Sequence, residues 1–361
     1  MNSLRAARSL QVGATHQMTA THASSGPASA GGRFVALARK YCSAVAAVAL
    51  LLPLATEATG ADKLVFATNW YAEAEHGGFY QALAEGIYAK HGLDVAIRMG
   101  GPQLNVYQLL LAGQADLAMG YDIATLNAIE RGLPLVTIAA TFQRDPAVLI
   151  AHPGVADIVE LRTRTLLIGQ ASETTFWPWL KAKYGFSDAQ KRPYSFSVQQ
   201  FLADPNVAQQ GYATSEPYSI EKGGVTPKVF LLADYGYPPY AETIVATSKT
   251  LQEKPDVLRR FVEATALGWK SYLANPKPGN ALIKKVNPQI EDDLLAFSVA
   301  KMKEFGLVTG GDAATQGILT MSDARWKDTF QFMAQAGLIN PDTDYRKAYT
   351  LEIVRQVKVL P

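Results

Sequence analysis

The chain is nearly without cysteine. Its 361 residues hold one, Cys42. Past that point no disulfide, thiolate zinc site or cysteine nucleophile can form. Histidine is scarce as well. Of five in the chain, only His76, His91 and His152 follow residue 61, and they do not sit at metal-ligand spacing. No apolar run reaches the ~20 residues of a membrane span. Neither sign of charge dominates, with 34 basic and 32 acidic side chains. That balance excludes a polybasic surface for nucleic acid or anionic lipid. G-x-S-x-G, the phosphate-binding loop and G-x-G-x-x-G are all missing, and no nucleophile stands beside a base.

What is present begins with an atypical first stretch. Met1 to Gly32 is rich in Ala, Ser, Gly and Thr and has no acidic residue. It reads as disordered or as an over-extended start, with Met18 the alternative first residue. Arg33, Arg39 and Lys40 then flank the apolar run Ala44–Leu54 (AVAAVALLLPL). A basic flank, a short apolar core and small residues afterwards make a secretion signal, cleaved after Ala58 or Ala61. Residues 1–61 are therefore expected to be a disordered leader plus signal, and the mature protein to be periplasmic. Beyond residue 61 the chain has 29 basic and 31 acidic side chains. About 300 residues bury a sizeable core without cross-links.

The rest alternates between two periods. Leu64–Thr68, Asp94–Ile97, Asp116–Gly120 and Leu135–Ala140 are short apolar runs that predict strands. Helical patterns ended by Gly92, Gly113 and Gly132 lie between them. This is the pattern of an open, largely parallel sheet. It restarts after Pro153 with Thr165–Ile168, a helix over Phe176–Tyr184, and Val229–Ala233. Thr243–Thr247 is β-branched and can cross back into the first lobe. From Pro255 onward the chain reads helical over 255–274, 289–305 and 322–336. The expected architecture is α/β with two lobes and a helical C-terminal wrap. Residues 62–150 and 241–361 form lobe 1 and 151–240 form lobe 2, linked near Ala147–Pro153 and Tyr240–Thr247.

In open α/β sheets ligands bind beyond the carboxyl ends of the strands. After the first strand stand Asn69 and Trp70, then Glu75-His76-Gly77-Gly78 at a helix start. Trp70 offers a flat face. Asn69 and His76 offer donors and acceptors, and the glycines expose backbone N–H groups. Trp70 can equally pack under the helix and His76 cap it in solvent. Tyr121 and Asp122 follow the third strand. Ser172, Glu173 and Thr174 lead into Trp177 after the second-lobe strand, where Ser172 or Thr174 can simply cap a helix. Tyr212 and Glu216 lie in a further turn, and Tyr235 in a fourth. Aromatic residues at each of these loops predict a stacking cleft. Glu216 is the candidate carboxylate for ring nitrogens or an exocyclic amine, or else a surface residue beside Pro217.

Four phrases carry a family resemblance. They are Asn69-Trp70 with Glu75-His76-Gly77-Gly78-Phe79-Tyr80, then Gly92-Leu93-Asp94-Val95, Gln108 to Asp116 (QLLLAGQAD), and Gly132-Leu133-Pro134-Leu135-Val136. The chain resembles solute-binding proteins of ABC importers related to thiamine pyrimidine synthase, over roughly residues 62–275. The resemblance implies a type II periplasmic-binding-protein fold and adds Tyr80 to the candidate site. It implies a small aromatic heterocycle as ligand, first a thiamine pyrimidine precursor. Riboflavin, another heterocycle, an aromatic acid or a sulfonate is the alternative. The implied partners are the permease and ATPase of an importer, with the chain a monomer and no cofactor or metal. The fungal synthases of this group use a histidine, a nearby lysine and a cysteine-rich segment. His76 matches the histidine region, but no lysine lies between Asn69 and Tyr80. A periplasmic enzyme is the alternative of another class.

Overall fold

The computed structural model describes residues 60–101 and 104–361. The leader and signal expected over residues 1–61 fall almost wholly outside the described residues.

Among the described residues ten strands form two five-stranded sheets. They are β1 (Asp62–Ala67), β2 (Leu93–Arg98), β3 (Leu117–Gly120), β4 (Leu135–Phe142), β5 (Ala147–Ala151), β6 (Thr165–Ile168), β7 (Lys191–Pro193), β8 (Val207–Tyr212), β9 (Lys228–Leu231) and β10 (Ala241–Thr247). The first sheet has the order β2-β1-β3-β10-β4, the second β7-β6-β8-β5-β9. In the first, β1 pairs parallel with β2 and β3, while β10 lies antiparallel between β3 and β4. In the second, β6 is parallel to β7 and β8, and β5 runs antiparallel to β8 and β9. The architecture is the two-lobed α/β arrangement with a helical tail that the sequence pattern predicts. Among the described residues no helix is long and apolar enough to cross a membrane.

Strands β3, β4, β5 and most of β10 are covered on both faces, whereas β2 alternates and β7 is largely open. Every residue of β4 and β5 is buried, which is why these segments read as unbroken apolar runs rather than alternating ones. The expected link Ala147–Pro153 is instead largely β5, a central strand of the second sheet. Only Gln143-Arg144-Asp145-Pro146 separates β4 from β5, too short a break to stand out among apolar neighbours. The chain returns through residues 232–240 to β10. Two crossings thus join the sheets. β7 and β8 escape the sequence pattern too, because β7 is three residues long and β8 carries Gln209 and Gln210.

Helix Pro255–Ala274 organises the first lobe. Proline at its first position costs no hydrogen bond there. Leu258, Phe261, Val262, Thr265, Ala266, Trp269 and Tyr272 recur at helical spacing and are all buried. Each large apolar side chain withdrawn this way contributes roughly 1.5–3 kcal/mol. The facing helix, Gly77–Ala84, approaches so closely that a Cβ on Gly78 would lie 2.2 Å from the Trp269 ring. The carbonyl of Gly78 would in turn lie 2.3 Å from a Cβ on Gly268. Helix Asp323–Gln335 sends Trp326, Phe330 and Met333 into one core with Ile158, Leu166 and Phe230 from the second lobe. The tail therefore packs on both lobes.

Candidate functional site

The edges of the two sheets that face each other are the carboxyl ends of β1, β3, β6 and β8. The amino ends of the antiparallel strands β5 and β10 share those edges. Between them lies a cavity of about 440 Å³. Asn69 and Trp70 reach it from the end of β1, Tyr121 and Asp122 from β3, and Asp145 from the β4–β5 crossing. Gly169, Ser172 and Phe176 come from β6 and the turn after it, and Gln210, Tyr212, Ser215 and Glu216 from β8. Tyr237 and Tyr240 belong to the return crossing and Glu242 to β10. Glu73, Glu75 and Phe196 complete the wall.

The aromatic groups hold the two lobes against each other. The hydroxyls of Tyr121 and Tyr212, one from each sheet, are 2.5 Å apart. Trp70 of the first lobe meets Phe196 of the second at 6.2 Å between ring centroids. Phe196 remains 68% exposed with φ at 58°, a left-handed backbone that a bulky residue rarely adopts. This ring pair stands at the cavity wall with flat faces available for stacking.

The charged groups of the lining are all acidic. Among the described residues six carboxyl groups line the cavity, from Glu73, Glu75, Asp122, Asp145, Glu216 and Glu242, and no lysine, arginine or histidine does. Their commitments differ. Asp122 accepts from the backbone N–H of Ile123 at 2.7 Å and of Tyr240 at 2.8 Å, and from the Thr329 hydroxyl at 3.2 Å. It therefore pins the return crossing to the first lobe. Glu216 accepts from the Tyr194 hydroxyl at 3.1 Å, the Tyr212 N–H at 2.7 Å and the Ser215 hydroxyl at 2.5 Å. Asp145 accepts from the Ala147 N–H at 2.7 Å. Glu242 accepts from the Tyr121 hydroxyl at 3.3 Å through Oε1, and the Asn69 amide also stands within hydrogen-bonding reach of its carboxyl. Its Oε2 is buried and has no partner.

Burial dominates how these groups titrate, because an ion removed from water is disfavoured. It pushes Glu242 up to about 8, helped by the charge of Glu75. It pushes Glu75 up to about 7 and Asp145 up to about 7, with Asp122 adding to the rise. Asp122 rises to about 6, held back by its backbone donors and by Arg325. Glu73 is raised by burial first and then by its acidic neighbours. Glu242 also has φ at 50°. A non-glycine residue held there costs of order 1–3 kcal/mol and occurs preferentially at functional sites.

Seven of the candidate residues converge on the cavity: Asn69, Trp70, Tyr121, Asp122, Ser172, Tyr212 and Glu216. The others lie elsewhere. His76 is fully buried and burial drives its imidazole down to about 3, so it is neutral. Gly77 faces the Tyr272 ring rather than a ligand. Tyr80 is buried in the core of the first lobe. In the turn Ala74–His76, Glu75 lines the cavity while Ala74 joins the core. Glu173 pairs with Lys191 on the surface at 2.5 Å, and the Thr174 hydroxyl bonds the Ala171 carbonyl at 3.3 Å. Trp177 is buried, its indole N–H on Asp188 at 2.7 Å; the neighbouring Phe176 takes the wall position. The Tyr235 carbonyl accepts from Lys183 and Tyr184, and Tyr237, two residues on, lines the cavity. Sequence reasoning missed Glu73, Glu75 and Glu242 as site residues. The first two sit beside the Asn69-Trp70 loop and could have been added on position. Glu242 could not, since it reaches the site only because β10 runs antiparallel.

Comparison with known proteins agrees with this fold. Residues 73–278 match the family model described as NMT1/THI5 like. The riboflavin-binding protein RibY of Chloroflexus aurantiacus is 26% identical over 81% of this chain and 86% of its own. The formylaminopyrimidine-binding protein of Halalkalibacterium halodurans is 25% identical over 74% of this chain and 85% of its own. Among solved structures, the periplasmic aliphatic sulphonate-binding protein SsuA of Escherichia coli superposes with a TM-score of 0.61. It is 12% identical and covers 79% of this chain and 91% of its own. That likeness concerns the fold.

Proposed function

The chain belongs to the NMT1/THI5-like family, and from that premise we propose that it is the solute-binding component of an ABC importer. In this reading residues 1–61 direct export to the periplasm. The mature monomer captures a small, flat, amine-bearing heterocycle and presents it to the permease and ATPase. The observation that carries the reading is the cavity between the sheets. Its walls come from strand ends of both lobes and combine stacking rings with hydrogen-bond acceptors, so a ligand is sensed by both halves at once.

A thiamine-type aminopyrimidine suits this wall. Its ring can stack on Trp70, and its exocyclic amine can donate to a carboxyl group of the lining. A charge-assisted hydrogen bond of that kind contributes roughly 1.5–3 kcal/mol. The relative named for formylaminopyrimidine binding supports this choice. Riboflavin is the second reading, supported by the relative named for it. A sulfonate suits the site poorly, because a fixed anion would face six carboxyl groups and no cation in the lining. Binding without turnover is the favoured role, since both relatives named as binding proteins align over most of their length.

Mass spectrometry of small molecules extracted from the purified protein tests the reading, followed by calorimetric titration of what is found. An aminopyrimidine should be recovered and rebind with one site per chain. Recovery of riboflavin would move the assignment to the flavin. Conversion of the ligand on incubation would replace the transport role with an enzymatic one.

A further inference from the structure

We propose that the cavity selects an organic cation, a flat ring bearing a positive nitrogen, and that Glu242 is its charge partner. This rests on the ligand-binding reading above and narrows it to charge.

The first observation is the imbalance of the lining. Among the described residues six carboxyl groups face one cavity and no basic side chain lines it. Arg325, whose charge acts on Asp122 and Asp145, stacks on the Tyr240 ring at 4.7 Å and donates to the Gln143 carbonyl at 2.8 Å. It thus lies behind Tyr240. The second observation is the state of the individual oxygens. Asp122 and Glu216 spend both of theirs on donors within the protein. Glu242 is 3% exposed, lines the cavity and leaves Oε2 with no partner. A buried carboxylate oxygen without a donor is costly, and the left-handed backbone of Glu242 holds it there against local strain. Both features point to a ligand that brings a donor and a charge.

A neutral ring supplies the donor only. A cation supplies both, and it also removes the mutual repulsion of Glu242 with Glu75 and Glu73. The acidic and phenolic groups facing Glu242 are Glu73, Glu75, Asp145, Tyr121 and Tyr212. Several of these hold protons near neutral pH because of burial. Entry of a cation should therefore release protons to solvent, and affinity should rise as pH climbs from about 6 to about 8.

Calorimetry of the purified protein with matched probes tests this. 4-Amino-5-aminomethyl-2-methylpyrimidine is a cation at neutral pH, and its 5-hydroxymethyl counterpart has the same ring and size without the charge. The aminomethyl probe should bind at least tenfold tighter, with proton release detectable by comparing two buffers of different ionisation enthalpy. Glu242→Gln should shrink the preference between the two probes to less than about threefold, whatever it does to the affinity for either one. The comparison on wild-type protein stands even if the variant folds poorly. Equal affinity, or a preference for the neutral probe, overturns the proposal. A second pair, 1-methylnicotinamide against nicotinamide, separates charge from ring type. If both pyrimidines fail and 1-methylnicotinamide binds more tightly than nicotinamide, the pyrimidine reading falls and the cation selectivity stands. If no cation binds better than its neutral partner in either pair, or none of the four binds, the selectivity is refuted.

Discussion

Replacing Glu242 by Gln probes the electrostatics of the cavity through stability alone, with no ligand needed. Burial raises the carboxyl to about 8, whereas in the unfolded chain a glutamate titrates near ~4.3. Between those values the folded state holds a proton that the unfolded state has released. The stability that goes with this proton is fully present below the unfolded value. It declines as pH rises through about 8. One pKa unit is worth ~1.4 kcal/mol, so a group titrating alone across this gap would account for on the order of 4–5 kcal/mol. Glu75 and Asp145, both near 7, compete for protons in the same space. Coupling of that kind spreads the effect over the cluster and leaves roughly 2 kcal/mol to Glu242. Gln keeps an oxygen for the Tyr121 hydroxyl and carries no charge at any pH. The variant should match the wild type at about pH 5 and exceed it at about pH 9 by roughly 2 kcal/mol. At ~2 °C per kcal/mol for a large domain, that is about 4 °C in Tm. Scanning calorimetry of both proteins at three pH values measures it. A difference in Tm that does not change with pH, or a variant less stable than wild type at about pH 9, would refute the reasoning.

Trp70→Ala removes the flat wall from the first lobe and its contact with Phe196; ligand affinity by titration should fall about tenfold or more, ~1.4 kcal/mol per decade. Glu216→Gln leaves an amide that cannot accept from Tyr194, Ser215 and the Tyr212 N–H together. It should lower stability by about 1–3 kcal/mol and weaken binding, both visible in one thermal-shift series with and without ligand. Gly78→Ala forces a Cβ against the Trp269 ring and should cost about 1–3 kcal/mol or more. Its charge preference among ligands should stay unchanged, because the contact is remote from the cavity lining. Sequencing the amino terminus of protein recovered from the periplasm should start near Asp62; a chain retaining Ala44–Leu54 would contradict the signal assignment.

Short apolar runs, glycine stops and Pro255 marked most strands and helices correctly, because these signals are local. A helix face is written at a spacing of three and four residues, and a buried parallel strand as an unbroken apolar run. The same locality made Asn69, Trp70, Tyr121 and Ser172 recognisable, since each directly follows a strand. Where two elements are joined by only a few residues, as at Gln143–Pro146, the local signal gives no break and β5 passes for a linker. Trp177 and Tyr235 were misplaced by one and two residues for a related reason. A loop's position is legible, but the direction each side chain takes depends on what packs beneath it.

By itself, then, the sequence determined the two α/β runs, the helical tail, the lack of thiol chemistry and the strand-end loops that could bear a site. Only the tertiary structure decided which of those ends meet. It inserted β10 antiparallel between β3 and β4, and so carried Glu242 from the far end of a linker to the edge where β1 and β3 finish. It turned Glu75 toward the cavity and buried His76. The physical reason is that composition and periodicity encode interactions over a few residues, while strand order is set by pairing and burial between segments far apart in the chain. The charge of the site is a property of that pairing. Glu73, Glu75, Asp145 and Glu242 belong to three separate stretches of chain, and they become one acidic wall only when β10 is paired between β3 and β4.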